Sequence, residues 1–170
     1  GKKVIMLHAD DAGMCEEANI ATKQYLLDGY IQSAAAMPPC PEFEDMIQWA
    51  IEHPQVDVGL HLTLTSEWKT YRWPSVLPVE EVPGLIDEEG MLWKSVMEVV
   101  LHASAEDVEK EVRAQIEKSI AMGYQPDHID THMGTLYGHP EYVKAYLKIA
   151  EEYKIPANVI DLSDSLVAAY

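Results

Sequence analysis

Two kinds of pattern alternate along the chain. Val4-Ile5-Met6-Leu7 is an unbroken apolar run flanked by polar residues. It predicts a strand buried on both faces, and so a parallel sheet. Residues 16–27 carry Ala18, Ala21 and Tyr25 at helical spacing, opened by Glu16 and Glu17 and closed by Gly29. Residues 33–37 predict a second strand, stopped by Pro38-Pro39, and residues 43–51 a second helix ending before Pro54. Residues 56–64 alternate and are rich in β-formers, which predicts a third strand. Residues 96–102 predict a short helix. Ser104-Ala105-Glu106-Asp107 is a capping-box start, with Asp in place of Glu, for a helix that runs to Met122 and stops at Gly123. A fourth strand is predicted over 127–131, a helix from Pro140 to about Tyr153, and a fifth strand over 156–160.

Strands alternating with helices predict one α/β domain over residues 1–170, with a parallel sheet and right-handed crossovers. There is no internal repeat and no low-complexity tract. A closed barrel needs more strands, so the expectation is a barrel incomplete or truncated toward its C-terminus, where residues 161–170 add no clear closing element. Residues 65–92 break the pattern. They hold Pro74, Pro78, Pro83, Gly84 and Gly90 together with Trp68, Tyr71 and Trp73, and Trp93 follows directly. An aperiodic stretch of this length inside a domain is usually functional or mobile.

Composition narrows the partners. Lys plus Arg number 12 against 29 Asp plus Glu, a formal charge of −17. Such a surface repels phosphate backbones and anionic lipid, so neither nucleic acid nor a membrane is expected as a partner, and it attracts cations. Two cysteines, Cys15 and Cys40, exclude a disulfide scaffold and a zinc site of paired thiolates. The run at residues 4–7 is too short for a signal-peptide core, and no apolar stretch reaches the ~18 residues of a membrane span. A soluble cytoplasmic protein is expected, with homo-oligomerisation left open.

Ligands of a parallel sheet bind at the carboxyl ends of its strands. Three predicted strand ends carry metal-capable residues: His8, Asp10 and Asp11 after the first, His61 on the third, and His128, Asp130 and His132 on the fourth. Neighbouring side chains on extended backbone point to opposite sides, so Asp10 and Asp11 suit two jobs, one ligating and one hydrogen-bonding a water. The plainer alternative is that an Asp caps the helix opening at Glu16. His61 among apolar neighbours is either a hydrogen-bonded core residue or a ligand, and Gly59 just before it suits close approach at that face. Residues 128, 130 and 132 share a strand face, two imidazoles and a carboxylate, unless that face is simply solvated. An aspartate and two histidines from three strand ends would form an open three-ligand site. Zn²⁺ suits it, with Mg²⁺, Mn²⁺, Co²⁺ or Ni²⁺ not distinguished by residue type.

Three segments in order resemble the YdjC-like (ChbG/HpnK) carbohydrate deacetylase family. They are Ala9-Asp10-Asp11-Ala12-Gly13, Gly59-Leu60-His61-Leu62-Thr63-Leu64 and Pro126-Asp127-His128-Ile129-Asp130-Thr131-His132. The chain departs from the family pattern at His8, often Asn, and at residues 133–136, where further histidines often follow. The resemblance implies a deacetylase-like (β/α) barrel, one divalent ion (Zn or Mg foremost) on Asp11, His61 and His132, and Asp10 as general base. It implies removal of acetyl groups from N-acetylated sugars by a water held on that ion and deprotonated by Asp10. Asp130 would orient an imidazole, and His128 or a residue beyond Tyr170 is the candidate acid for the leaving amine. Aromatic residues between Trp68 and Trp93 could stack on sugar rings or pack the loop. The alternative is a metal- or carbohydrate-binding domain without catalysis.

Overall fold

The computed structural model describes residues 4–160. Four strands, β1 (His8–Ala12), β2 (Ser33–Ala36), β3 (Val58–Leu62) and β4 (Ile129–Thr131), form one parallel sheet in the order β1-β2-β3-β4. Helices α1 (Glu16–Leu27), α2 (Phe43–Glu52), α3 (Val96–His102), α4 (Ala105–Ala121) and α5 (Pro140–Tyr153) fill the connections. Strand order advances in one direction without reversal, as in successive units of a (β/α) barrel rather than a doubly wound sheet. The sheet stays open among the described residues. Residues 161–170 lie outside them, and the predicted fifth strand at 156–160 contributes one parallel bridge, Ile129 to Ala157.

The first strand is displaced from the apolar run that predicted it. It begins at His8, and Val4, Ile5, Met6 and Leu7 are exposed, Val4 at 88%. Leu7 is tied down, exchanging bonds with the Gln32 side chain and backbone. The reason is that β1 is an edge, and no described strand lies on its far side. In contrast, β2 and β3 are buried along their whole length, as the apolar patterns of residues 33–37 and 56–64 require.

The buried face of α1 is Asn19, Thr22 and Leu26, whereas Ala21 and Tyr25 are exposed. A polar side chain explains the difference. Asn19 accepts from Gly13 N–H (2.7 Å) and donates to the Glu42 carbonyl and the Asp45 carboxylate, pinning the turn after β1 to the start of α2. The capping box of α4 forms as its sequence predicts: Ser104 Oγ accepts from Asp107 N–H, and the Asp107 carboxylate accepts from Ser104 N–H. On the same helix, Gln115 bonds both the N–H and the carbonyl of Thr63, so the chain leaving β3 is satisfied by α4 instead of by another strand. No helix among the described residues is long and apolar enough to cross a membrane.

Candidate metal centre

The turn out of β1 departs from strand alternation. The register slips between Ala9 and Ala12, and Asp11 takes a left-handed backbone conformation, φ 61°. Asp tolerates that region better than most residues, and bulges of this sort re-aim side chains beside functional sites. As a result both neighbouring carboxylates reach the cluster around His61. Asp11 Oδ1 lies 3.4 Å from His61 Nε2 and 3.2 Å from His132 Nδ1. Asp10 belongs to a second grouping with His61 and Asp130. The two carboxylates fall into different groupings around His61, one with His132 and the other with Asp130. Neither Asp caps α1, whose N-cap is Cys15 and makes no side-chain cap bond.

Asp11, His61 and His132 offer three ligand atoms within 4.8 Å of one another. Both imidazoles are nearly buried, and Asp11 Oδ1 is a buried acceptor with no hydrogen-bond partner among the described residues. An unpaired buried carboxylate oxygen is unfavourable unless a cation meets it. The 3.2–3.4 Å spacings match what two bonds of ~2.0–2.1 Å to one ion would span. The donor set therefore fits a divalent cation. Behind each imidazole stands a carboxylate. His61 Nδ1–H donates to Asp130 Oδ1 (2.5 Å), and His132 Nε2–H points between the two Glu67 oxygens, 3.1 Å from each. That is how metal-ligating histidines are usually held in tautomer and orientation.

Charge balance follows from these pairings. The His132 ring, 3.2 Å away, holds Asp11 below the usual carboxylate range. Burial pushes Asp130 up, but His61 and His8 outweigh it and bring the group down to about 2. Burial depresses His132, yet Asp11 and Glu67 together raise it to about 9. Without an ion, a proton therefore occupies the site at neutral pH.

A family profile described as YdjC-like protein matches residues 4–168. The chain belongs to the YdjC-like family. Curated relatives include carbohydrate deacetylases of Brevibacillus brevis (33% identical over 153 residues, 89% of this chain and 57% of the relative) and of Thermus thermophilus (33% over 155 residues, 91% and 53%). A chitooligosaccharide deacetylase of Yersinia enterocolitica is 26% identical over 134 residues, covering 77% of this chain and 49% of its own. A solved structure from Enterococcus faecalis V583, described as a cellobiose-phosphate cleavage protein, superposes with a TM-score of 0.81 at 30% identity, covering 95% of this chain and 62% of that one. The chain thus spans a little over half the length of the first two curated relatives.

In this YdjC-like chain the three motif segments meet, but not at one point. The row His128, Asp130, His132 runs along β4 and past both its ends. His132 opens the 3₁₀ turn after the strand, where Met133 and Gly134 are both left-handed. Asp130 faces His61 and His8. His128 precedes the strand, roughly 13 Å back along the chain at about 3.3 Å per residue. There it faces Asp57 (3.2 Å) and falls into a separate grouping with His8 and Asp130. The close approach that Gly59 suggests is made by His128, since a Cβ at 59 would collide with its Nε2.

Glu67 was not singled out from the sequence. It lies in the aperiodic segment 65–92, which no periodicity assigns to a strand end, and an acidic residue just beyond β3 was the one available signal. The structure shows that segment to be packed. Arg72 ties it together through the Ser66 and Leu92 carbonyls and the Asp87 and Glu89 carboxylates. Trp73 is buried with Nε1–H on the Thr65 carbonyl, and Trp93 stacks on His102, so packing takes both rings. Trp68 and Tyr71 remain exposed, and Tyr71 Oη–H bonds the Met14 carbonyl beside the β1 turn. A cleft of about 420 Å³ is lined by Asp10, His61, Asp130, Gly134 and Tyr137.

Proposed function

We propose that this chain carries the catalytic centre of a metal-dependent deacetylase acting on N-acetylated sugars or oligosaccharides. The deacetylase names of its relatives supply the substrate class. The observation that carries the metal reading is Asp11 Oδ1, buried without a hydrogen-bond partner among the described residues and set between two carboxylate-backed imidazoles. Asp11, His61 and His132 are the proposed ligands, with Zn²⁺ or Mg²⁺ the foremost ions.

When bound, a divalent ion supplies polarisation of the acetyl carbonyl and a lower pKa for water, from ~15.7 toward ~7. The protein does the rest. Asp10 is exposed at the cleft next to His61, which suits a group that must reach both water and substrate. Its carboxylate takes the proton of the attacking water. The oxygen adds to the acetyl carbon, the C–N bond breaks, and protonated Asp10 passes its proton to the leaving amine. His128, at the amino end of β4, is left out of this exchange. Asp130 and Glu67 hold His61 and His132 in the ligating tautomer. Exposed Tyr71 borders the β1 turn, and it and exposed Trp68 offer faces for a sugar ring.

The test is metal analysis of the purified chain followed by acetate release from N-acetylglucosamine oligomers, with Asp10→Asn beside it. The variant should keep its metal and lose at least a hundredfold in turnover, the lower range for a general base. Full activity in the variant removes Asp10 from the base role. Metal bound with no acetate released by the unsubstituted chain favours a binding domain instead.

A further inference from the structure

A second set of ligand-type side chains lies toward the amino ends of the strands. His8 opens β1 and His128 stands just before β4. Each has its Nδ1 engaged. His8 Nδ1 meets Ser33 Oγ at 2.9 Å, and His128 Nδ1 lies 3.2 Å from Asp57 Oδ1, which also accepts from Ser33 Oγ–H at 2.5 Å. Both Nε2 atoms are buried; His128 Nε2 has no hydrogen-bond partner among the described residues, and His8 Nε2 lies 3.2 Å from Asp10 Oδ1 and from Asp130 Oδ2. One ring nitrogen of each histidine and an Asp130 oxygen lie within 4.8 Å of one another. Gly59 makes the arrangement sterically feasible, because any side chain there would collide with His128 Nε2. A cavity of about 460 Å³, lined in part by Met6, Asp127 and Pro156, opens onto the cluster.

We propose that His8, His128 and Asp130 form a second cation site, taking a borderline divalent ion such as Zn²⁺ or Co²⁺ in preference to Mg²⁺. Two imidazole nitrogens and one carboxylate oxygen are the donor set such ions favour, whereas Mg²⁺ prefers oxygen. Asp130 is shared: Oδ1 receives His61 Nδ1–H, and Oδ2, 3.2 Å from His8 Nε2, faces the second site. The rival occupant is a proton. Asp10 and Asp130 raise His8 to about 9, so an imidazolium satisfies that ring. A proton on His8 still leaves His128 Nε2 buried without a partner, and an ion meets both nitrogens at once.

The experiment is metal stoichiometry after saturation with Zn²⁺ and removal of excess, repeated with Co²⁺ to record the visible absorption of the bound ion. The unsubstituted chain should hold two equivalents. His128→Gln and His8→Asn should each hold one, with part of the Co²⁺ absorption lost, and His132→Gln should also hold one. Circular dichroism checks folding, and either variant at the second site suffices if the other fails to fold. About one equivalent in the unsubstituted chain, or two in both His128→Gln and His8→Asn, overturns the second site. If a single equivalent disappears in His132→Gln, the catalytic centre stands without its neighbour; if no protein binds metal, both readings fall.

Discussion

Glu67→Gln isolates the carboxylate that the tertiary structure adds to the site. The substitution keeps the size of the side chain and one acceptor oxygen, and removes the charge facing His132 Nε2–H at 3.1 Å. Outer partners of ligating histidines typically contribute about 10–100-fold in metal affinity, or roughly 1.4–2.8 kcal/mol. A hydrogen bond to a charged group, at about 1.5–3 kcal/mol, gives the same range. Protonation modifies the result in a defined direction. In the metal-free protein His132 titrates at about 9, raised by Asp11 and Glu67 against the opposing effect of burial. An ion binding below that pH must displace the proton, which lowers apparent affinity about tenfold per pH unit below 9. Removing the Glu67 charge weakens the proton's hold as well as the ion's. The deficit of Glu67→Gln should therefore be largest above pH 9 and smaller at pH 7. Titration calorimetry with Zn²⁺ in two buffers of different ionisation enthalpy reads both affinity and proton release. Release should approach one proton per ion at pH 7 in the unsubstituted chain and fall in the variant. Equal affinity and equal release in the two proteins would falsify the pairing of Glu67 with a ligating His132.

Three further outcomes follow from the same geometry. In the metal-free protein His8 and His132 both titrate at about 9, above their ordinary 6.5. Their contribution to stability is complete below pH 6.5 and lost as pH rises through about 9, so the melting temperature should fall across that window, and a flat profile contradicts the pairing. Gly13→Ala places a Cβ 2.9 Å from Phe43 Cα on a backbone at φ 80°; it should destabilise by more than about 1 kcal/mol in urea unfolding, and an unchanged midpoint refutes the fit. Ser104→Ala removes the α4 cap and should lower stability by about 1 kcal/mol while leaving metal content unchanged, which separates a structural loss from one at the site.

Local rules already specified much of this molecule in the sequence. The capping box at Ser104, the stop at Gly123, the start at Pro140 and the buried strands after residues 32 and 57 depend on residues close in sequence, and they form where expected. Candidate ligands could be named too, because imidazoles and carboxylates gather at three strand ends, although each alone had a plainer structural use. What could not be read was anything set by a neighbour distant in the chain. The apolar run at residues 4–7 predicted a buried strand, but burial requires a strand beyond the β1 edge, and no local pattern reports whether one is there. Strand alternation does not report the slipped register and left-handed Asp11 that leave Asp10 and Asp11 in two different groupings around His61. Glu67, inside an aperiodic segment, has no local signature; it acquires a role only because Arg72 and Trp73 fold that segment back onto His132. His128 shared a strand face with His132, and the length of that strand set them at opposite ends of it. Residue types and short-range periodicity thus determined which chemistry the chain can carry. Which groups face one another across gaps of about 3 Å was decided by packing, since hydrogen bonds and coordination act over distances that only the folded chain defines.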